Sequence, residues 1–102
     1  MDKFDLIVCN PPYLPEDNRE NKESSLATSG GRRGDEIICR LLDKVTNYLN
    51  VDGKVLLLIS SLTPQGKINA LMTKHNLSKK IIKSEKFFME TLQVWLIERV
   101  FK

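Results

Sequence analysis

The sequence has few of the residues that metal sites and disulfide frameworks need. Its 102 residues include two cysteines, Cys9 and Cys39, and a single histidine, His75. These three lie far apart in the sequence, and no spacing among them matches a metal-binding motif. We therefore expect no metal site in this chain, and we expect both cysteines to be buried free thiols.

Long apolar runs and concentrated charge are also missing. No stretch approaches the ~20 apolar residues of a membrane span and no signal peptide begins the chain, so we expect no membrane contact and a cytoplasmic location. The 16 Lys and Arg residues are scattered among 13 Asp and Glu residues, for a net charge of +3. This weak basic character allows an RNA-associated partner but is more typical of a solvated surface. Length and composition predict one small domain over residues 1–102.

One stretch organises the chain, an apolar run over residues 4–9 that ends at Asn10-Pro11-Pro12-Tyr13. A short apolar run rich in β-branched residues is typical of a strand buried on both faces of a parallel sheet. Two successive prolines cannot continue that strand, so a stiff turn must follow it. Asn10 and Tyr13 are therefore expected at the carboxyl end of a strand, where open α/β sheets bind their ligands.

This turn suits the transfer of a methyl group to an uncharged nitrogen. The side-chain oxygen of Asn10 and the carbonyl oxygen of Pro11 can each accept one hydrogen of a substrate NH₂ group, which aims the nitrogen lone pair. Tyr13 offers a ring face on which a planar substrate group can stack. Catalysis would rest on positioning and electrostatic preorganisation, and no titrating base is needed.

The rest of the chain predicts two helices and three more strands. They are a helix capped by Gly34 or Asp35 that ends near Leu49, a strand over 54–60, a helix from Thr63-Pro64 to about His75, and strands over 77–83 and 91–101. Residues 50–53 are expected to close the first helix. The order strand, helix, strand predicts a right-handed parallel crossover, and the short last link predicts an antiparallel pair. We expect Trp95 to pack against a helix or a neighbouring subunit. The turn residues Phe87, Phe88 and Met89 could contact a substrate peptide, but we expect them to pack in the core or at an edge.

Three blocks of the sequence carry a family resemblance: residues 4–15, the run Gly30-Gly31-Arg32-Arg33-Gly34 with the two helix-opening residues Glu36 and Ile37, and residues 90–94. The first resembles the Asn-Pro-Pro-Tyr motif of class I S-adenosylmethionine-dependent methyltransferases that act on amide or exocyclic amino nitrogens. All three in this order resemble the C-terminal half of HemK-like enzymes of archaea and eukaryotes, which methylate a glutamine of a class I translation release factor.

The resemblance implies a Rossmann-like class I methyltransferase sheet, of which this chain holds two parallel strands, two helices and a terminal antiparallel pair. It also implies roles for particular residues: Asn10, Pro11, Pro12 and Tyr13 as catalytic, Asn10, Tyr13, Gly30, Gly31, Arg32 and Gly34 as substrate-binding, and Asn10 as a contact to the cofactor. The substrate would be a release factor, and a small zinc-binding activator subunit is a further implied partner.

The resemblance does not extend to the cofactor loop. Such enzymes bind S-adenosylmethionine through a glycine-rich loop after their first strand, whereas the glycine cluster at 30–34 lies downstream of the motif. We therefore expect a partial domain that lacks the N-terminal cofactor-binding half and is not active alone. If both helices cover the same side of the sheet, the other side is left bare, so we expect self-association or pairing with a complementary half.

Two other functions stay open at this point. A related enzyme could methylate the exocyclic amino group of adenine in DNA or RNA, with Tyr13 stacked on a flipped base. The weak, scattered charge counts against this alternative, because phosphate neutralisation drives nucleic-acid binding. The second alternative is an inactive half-domain that serves as a binding module.

Overall fold

A computed structural model describes residues 2–11 and 34–101, which form two helices, a 3₁₀ turn and four strands. In chain order these are β1 (Phe4–Cys9), α1 (Glu36–Lys44), a 3₁₀ turn (Val45–Asn47), β2 (Leu49–Ser60), α2 (Gly66–Lys74), β3 (Leu77–Phe87) and β4 (Glu90–Arg99).

The described strands form one mixed sheet in the order β1-β2-β4-β3. β1 pairs with β2 in parallel, and Cys9 lies opposite Leu57. β4 is antiparallel to both β2 and β3, and Ser60 of β2 lies opposite Leu92 of β4. The predicted fold class is confirmed: two parallel strands joined through a helix, followed by a second helix and an antiparallel pair.

Both helices pack on the same face of the sheet and form the core there. Their inward residues meet the alternate residues of β2 and β4 that point the same way, as expected from the period of two in a strand. The fully buried members are Ile38, Leu42, Val55, Leu57, Ile59, Ile68, Trp95 and Ile97. Packing of Trp95 against the helices is thus confirmed. Within the described residues, neither helix is long and apolar enough to cross a membrane.

The two helices are also joined by charge. The Asp43 carboxylate of α1 lies 3.1 Å from Nε2 of His75 and 3.7 Å from Nζ of Lys74, both at the end of α2. The hydrogen bond to His75, followed by the charge of Lys74, lowers the pKa of Asp43. Because Asp43 is exposed to solvent, this link orients the helix ends and the apolar core provides the stability.

The opposite side of the sheet has no helix among the described residues, and we call it the open face. The register places Val8, Leu56 and Leu96 side by side there, next to the pair Leu58 and Val94. Val8 is 66% exposed and the other four are half-buried. Our expectation of a first strand buried on both faces is therefore wrong for this chain, because nothing in the described part packs against the second face. The expectation of a bare face is met.

The first helix ends earlier than its apolar stripe suggests. The stripe reaches Leu49, but α1 ends at Lys44 and the 3₁₀ turn ends at Asn47, so Leu49 already belongs to β2. The prediction that residues 50–53 close a helix is wrong, since they lie within β2. Leu49 instead pairs with Phe4 of β1, and Nη2 of Arg99 holds the segment between helix and strand, since it donates to the carbonyl oxygens of Thr46 at 3.0 Å and of Leu49 at 2.6 Å.

The second helix starts later than predicted. Its N-cap is Gln65 and its first residue is Gly66, so the assignment of Thr63 as N-cap and Pro64 as first helical residue is wrong. The Thr63 amide instead donates to the carbonyl oxygen of Ser60 at 3.0 Å. This bond makes Thr63 part of the turn that closes β2. The last two strands also differ from their predicted bounds. β3 is longer than predicted, since it reaches Phe87, and β4 is shifted, since it begins at Glu90 and ends at Arg99.

The two sides of β2 should differ in their contribution to stability. Leu57 is fully buried under the helices and Leu58, its neighbour, is half-buried on the open face. We expect Leu57→Ala to lower the free energy of unfolding by about 2–5 kcal/mol and Leu58→Ala by about 1 kcal/mol. Urea denaturation of both variants measures the difference. Equal losses would mean that the open face is covered in the folded protein.

Candidate functional site

The candidate site lies at one edge of the sheet, which we call the carboxyl edge. Because β1 and β2 are parallel, both end there, and because β4 is antiparallel to them, it begins there. Asn10 and Pro11 follow β1, residues 61–63 follow β2, and Glu90 is the first residue of β4. Three separate parts of the sequence thus meet at the edge where open α/β sheets bind ligands.

Asn10 and Pro11 occupy the end of β1 as the sequence predicts. Asn10 is exposed, so its side-chain amide is accessible to a substrate, whereas Pro11 is buried and anchors the turn. The thiol of the preceding Cys9 is half-buried against the core, and this burial raises its pKa. The thiol therefore stays neutral near pH 7 and does not compete as a nucleophile beside Asn10.

A buried serine and a carboxylate meet next to this turn. The Ser60 hydroxyl at the end of β2 is fully buried and donates to Oε2 of Glu90 at 2.6 Å. The same hydroxyl oxygen accepts the amide hydrogen of Leu62 at 3.0 Å. A charged acceptor makes this a strong hydrogen bond, and it fixes the turn after β2 against the start of β4.

The next residue pair repeats the connection. The Ser61 amide donates to the carbonyl oxygen of Thr91 at 2.8 Å, and the Thr91 amide donates to Oγ of Ser61 at 2.9 Å. Sequence reasoning assigned no role to Ser60, Ser61 or Glu90. The sequence did contain a signal: the polar pair Ser60-Ser61 lies at the end of the apolar strand β2, and the Glu90 carboxylate begins β4.

Gly34 is the one residue of the glycine and arginine block that the structure describes. It is buried and has φ 86°, directly before Asp35, the N-cap of α1. A side chain is strained at this angle, so the position requires glycine for its backbone. Asp35 as the N-cap agrees with the predicted start of the first helix.

Other predicted site residues lie outside the described residues. They are Pro12, Tyr13, Gly30, Gly31 and Arg32, and their roles remain predictions. In the part of the chain that is described, no group of three or more His, Cys, Asp or Glu side chains is placed to hold a metal ion. A groove of about 510 Å³ between α1 and α2 is lined by residues of the two helices, including Cys39, Asp43 and Leu71. It contains no residue of the carboxyl edge, so we do not assign it to this site.

The fit of the carboxyl edge to S-adenosylmethionine is incomplete. Asn10 offers an accessible amide, but β1 is followed by Asn10-Pro11 and β2 by Ser61-Leu62, and neither turn contains glycine. A glycine turn after a strand is what lets a backbone approach a nucleotide-like cofactor closely. The described residues that directly follow these two strands therefore lack the glycines typical of such a cofactor turn.

No protein-family model matches the chain. Three curated proteins are similar to it. A protein described as an N5-glutamine methyltransferase of Methanocaldococcus jannaschii is 46% identical over 63 residues, 60% of this chain and 32% of the relative. The ribosomal protein uL3 glutamine methyltransferase of Bordetella pertussis is 39% identical over 62 residues, 53% of this chain and 20% of the relative. The release factor glutamine methyltransferase of Aquifex aeolicus is 36% identical over 87 residues, 79% of this chain and 29% of the relative.

Solved structures share the fold. A chain of the Mtq2-Trm112 complex of E. cuniculi, responsible for methylation of the eRF1 translation termination factor, has a TM-score of 0.68 and 25% identity, over 94% of this chain and 52% of its own. A methyltransferase from Pyrococcus furiosus has a TM-score of 0.59 and 23% identity, over 98% of this chain and 43% of its own. The chain thus spans about half the length of these structures and a third or less of the curated relatives.

Removal of the buried hydroxyl should weaken the carboxyl edge. In a Ser60→Ala variant the Leu62 amide loses its acceptor and the Glu90 carboxylate its donor, so we expect a loss of about 1–3 kcal/mol in the free energy of unfolding. Chemical denaturation measures it. The exposed Ser84 of β3 offers a matched control, and Ser84→Ala should change stability by less than about 0.5 kcal/mol. Equal stability of both variants would show that the hydroxyl bond contributes nothing.

Proposed function

Since this chain is homologous to protein glutamine methyltransferases over the part of their length that it spans, we propose that it forms part of an S-adenosylmethionine-dependent N-methyltransferase. Its substrate is the side-chain amide of a glutamine in a protein such as a translation release factor, which places the reaction in the cytoplasm. The observation that supports this most directly is an accessible Asn10 next to a buried Pro11 at the carboxyl edge.

In this proposal the chain supplies the part of the site that holds the target nitrogen. The side-chain oxygen of Asn10 and the carbonyl oxygen of Pro11 accept the two amide hydrogens, so the lone pair points along one line. Tyr13 flanks the amide, and Gly30, Gly31, Arg32 and Gly34 clamp the substrate chain. S-adenosylmethionine, when bound, supplies the methyl group. These fixed acceptors act through positioning and preorganised electrostatics.

The open face and the free edge of β1 support a second part of the proposal. Val8 is 66% exposed and Leu6 53% exposed on a strand that pairs on one side only among the described strands. Apolar surface of this kind on an edge strand is normally covered. We propose that a complementary cofactor-binding segment, or a second copy of the chain, covers it. The comparison with the Mtq2-Trm112 complex adds a small activator subunit as a candidate partner.

Methyl transfer tests the proposed reaction. We would replace the matching segment of the M. jannaschii relative by this chain and measure transfer of labelled methyl groups to a class I release factor, to DNA and to RNA. Transfer to the release factor is expected, and Asn10→Ala should reduce it about a hundredfold or more because one acceptor of the amide is lost. The exposed Asn69 of α2 provides the matched control, Asn69→Ala, which should keep full activity. Transfer to adenine in nucleic acid alone would contradict the glutamine assignment.

Calorimetric titration of S-adenosylmethionine into the isolated chain tests whether the cofactor-binding part of the site lies outside this chain. We expect no binding at micromolar concentration, because the residues that directly follow β1 and β2, Asn10-Pro11 and Ser61-Leu62, include no glycine. The association state is recorded by size-exclusion chromatography with light scattering under the same conditions, and self-association is expected from the open face. Micromolar binding would show that this chain builds a cofactor site of its own.

A further inference from the structure

The turn between β3 and β4 carries the most exposed apolar side chains of the described chain. We call residues Phe87, Phe88 and Met89 the hairpin tip, and they are 51%, 93% and 79% exposed. The expectation that they pack in the core or at an edge is therefore wrong for Phe88 and Met89. Neighbouring exposed apolar side chains are found more often at interaction surfaces than on the rest of a protein surface.

Hydrogen bonds at the start of β4 fix the position of the hairpin tip. Glu90 and Thr91, which follow it, are bound to Ser60 and Ser61 by the three hydrogen bonds of 2.6–2.9 Å described above. Met89 has φ 63°, an uncommon conformation for a residue with a side chain. Glycine or asparagine is usual at such a turn position, and a strained residue persists only where the surrounding structure over-determines it. Phe88 is thus presented on a fixed turn.

The tip stands at the same edge of the sheet as Asn10. Ser60 is opposite Leu92, and the tip comes before Leu92 on β4, so it extends beyond the end of β2. Strands in a sheet are about 4.8 Å apart, which puts β4 and β3 about 10 and 14 Å to the side of β1. Cys9 is opposite Leu57 and Leu58 is opposite Val94, so the tip also lies about 17–20 Å farther than Asn10 along the strand direction. An extended polypeptide covers the combined separation of about 20–25 Å in about six to seven residues.

Charge around the tip favours a polypeptide over a nucleic acid. The charged residues nearest to it in the sequence are Glu85, Lys86 and Glu90, which together carry a net charge of −1, and the three other lysines of β3, at positions 79, 80 and 83, lie farther from the tip. Nucleic-acid surfaces need cations to neutralise phosphate, and two carboxylates beside the tip oppose that. An apolar side chain of a protein can pack against Phe88 and Met89, and this contact requires no charge.

From these four observations we infer that the hairpin tip is a docking element for the protein substrate. Phe88 and Met89 pack on an apolar side chain about six to seven residues from the glutamine held at Asn10. This inference rests on the proposed function, and it assigns the choice of substrate to a part of the chain that does not contact the reacting atoms.

Equilibrium binding tests the inference with the full chain. A purified, fluorescently labelled class I release factor is titrated with wild type, Phe88→Ala and Phe101→Ala. Phe101 is 67% exposed and follows β4 at the opposite edge of the sheet, so it is a matched exposed phenylalanine. We expect Phe88→Ala to weaken binding about tenfold and Phe101→Ala to leave it unchanged. Circular dichroism confirms that both variants are folded.

Three results would overturn the inference: equal binding by Phe88→Ala and wild type, no binding of the release factor by wild type, or binding of a single-stranded oligonucleotide that depends on Phe88. The third would identify the tip as a stacking platform for bases.

Measurements on the chimeric enzyme distinguish failure of the docking role from failure of the proposed function. If methyl transfer occurs and Phe88→Ala leaves the KM for release factor unchanged, only docking fails. If no glutamine is methylated, the proposed function fails.

Discussion

The parallel pairing of β1 with β2 is the constraint on which the candidate site depends. It brings Asn10 to the same edge as Ser60, although the two are 50 residues apart in the sequence. Among the described strands β1 pairs only with β2, and further support within the described residues comes from Ile7 and Cys9 against the core and from the Asn50 side chain, which donates to Asp5 at 2.7 Å. The residue proposed to hold the substrate is therefore carried by the least supported of the described strands.

The sequence predicted the fold class because its main signals are local. Apolar runs at 4–9 and 54–60 indicated strands, and the spacing of Ile38, Leu42 and Val45 indicated a helix face that the structure confirms. The position of Asn10 followed from the same reasoning, since two prolines must end a strand. The roles of Asn10, Tyr13 and the glycine block come from the resemblance and still await a test.

The errors occurred where distant contacts decide the outcome. The segment between α1 and β2 is held by Arg99, which bonds to carbonyl groups 50 and 53 residues earlier in the chain, and no local pattern reveals this contact. Thr63 is of a residue type common at N-caps, but it lies in the turn that closes β2, and the helix begins only at Gly66. The bond between Ser60 and Glu90 spans 30 residues and escaped prediction for the same reason. Periodicity gives the elements, and tertiary hydrogen bonds give their ends.

The order of the strands has a consequence for synthesis in the cell. Among the described strands, β1 is made before its parallel partner β2, which is complete only at Ser60, 51 residues after Cys9. At about 5–20 residues per second, a ribosome needs roughly 3–10 s to make that interval. During this time Leu6, Ile7 and Val8 cannot pair with β2. The pairing that brings Asn10 to the same edge as Ser60 therefore forms only after β2 has been made.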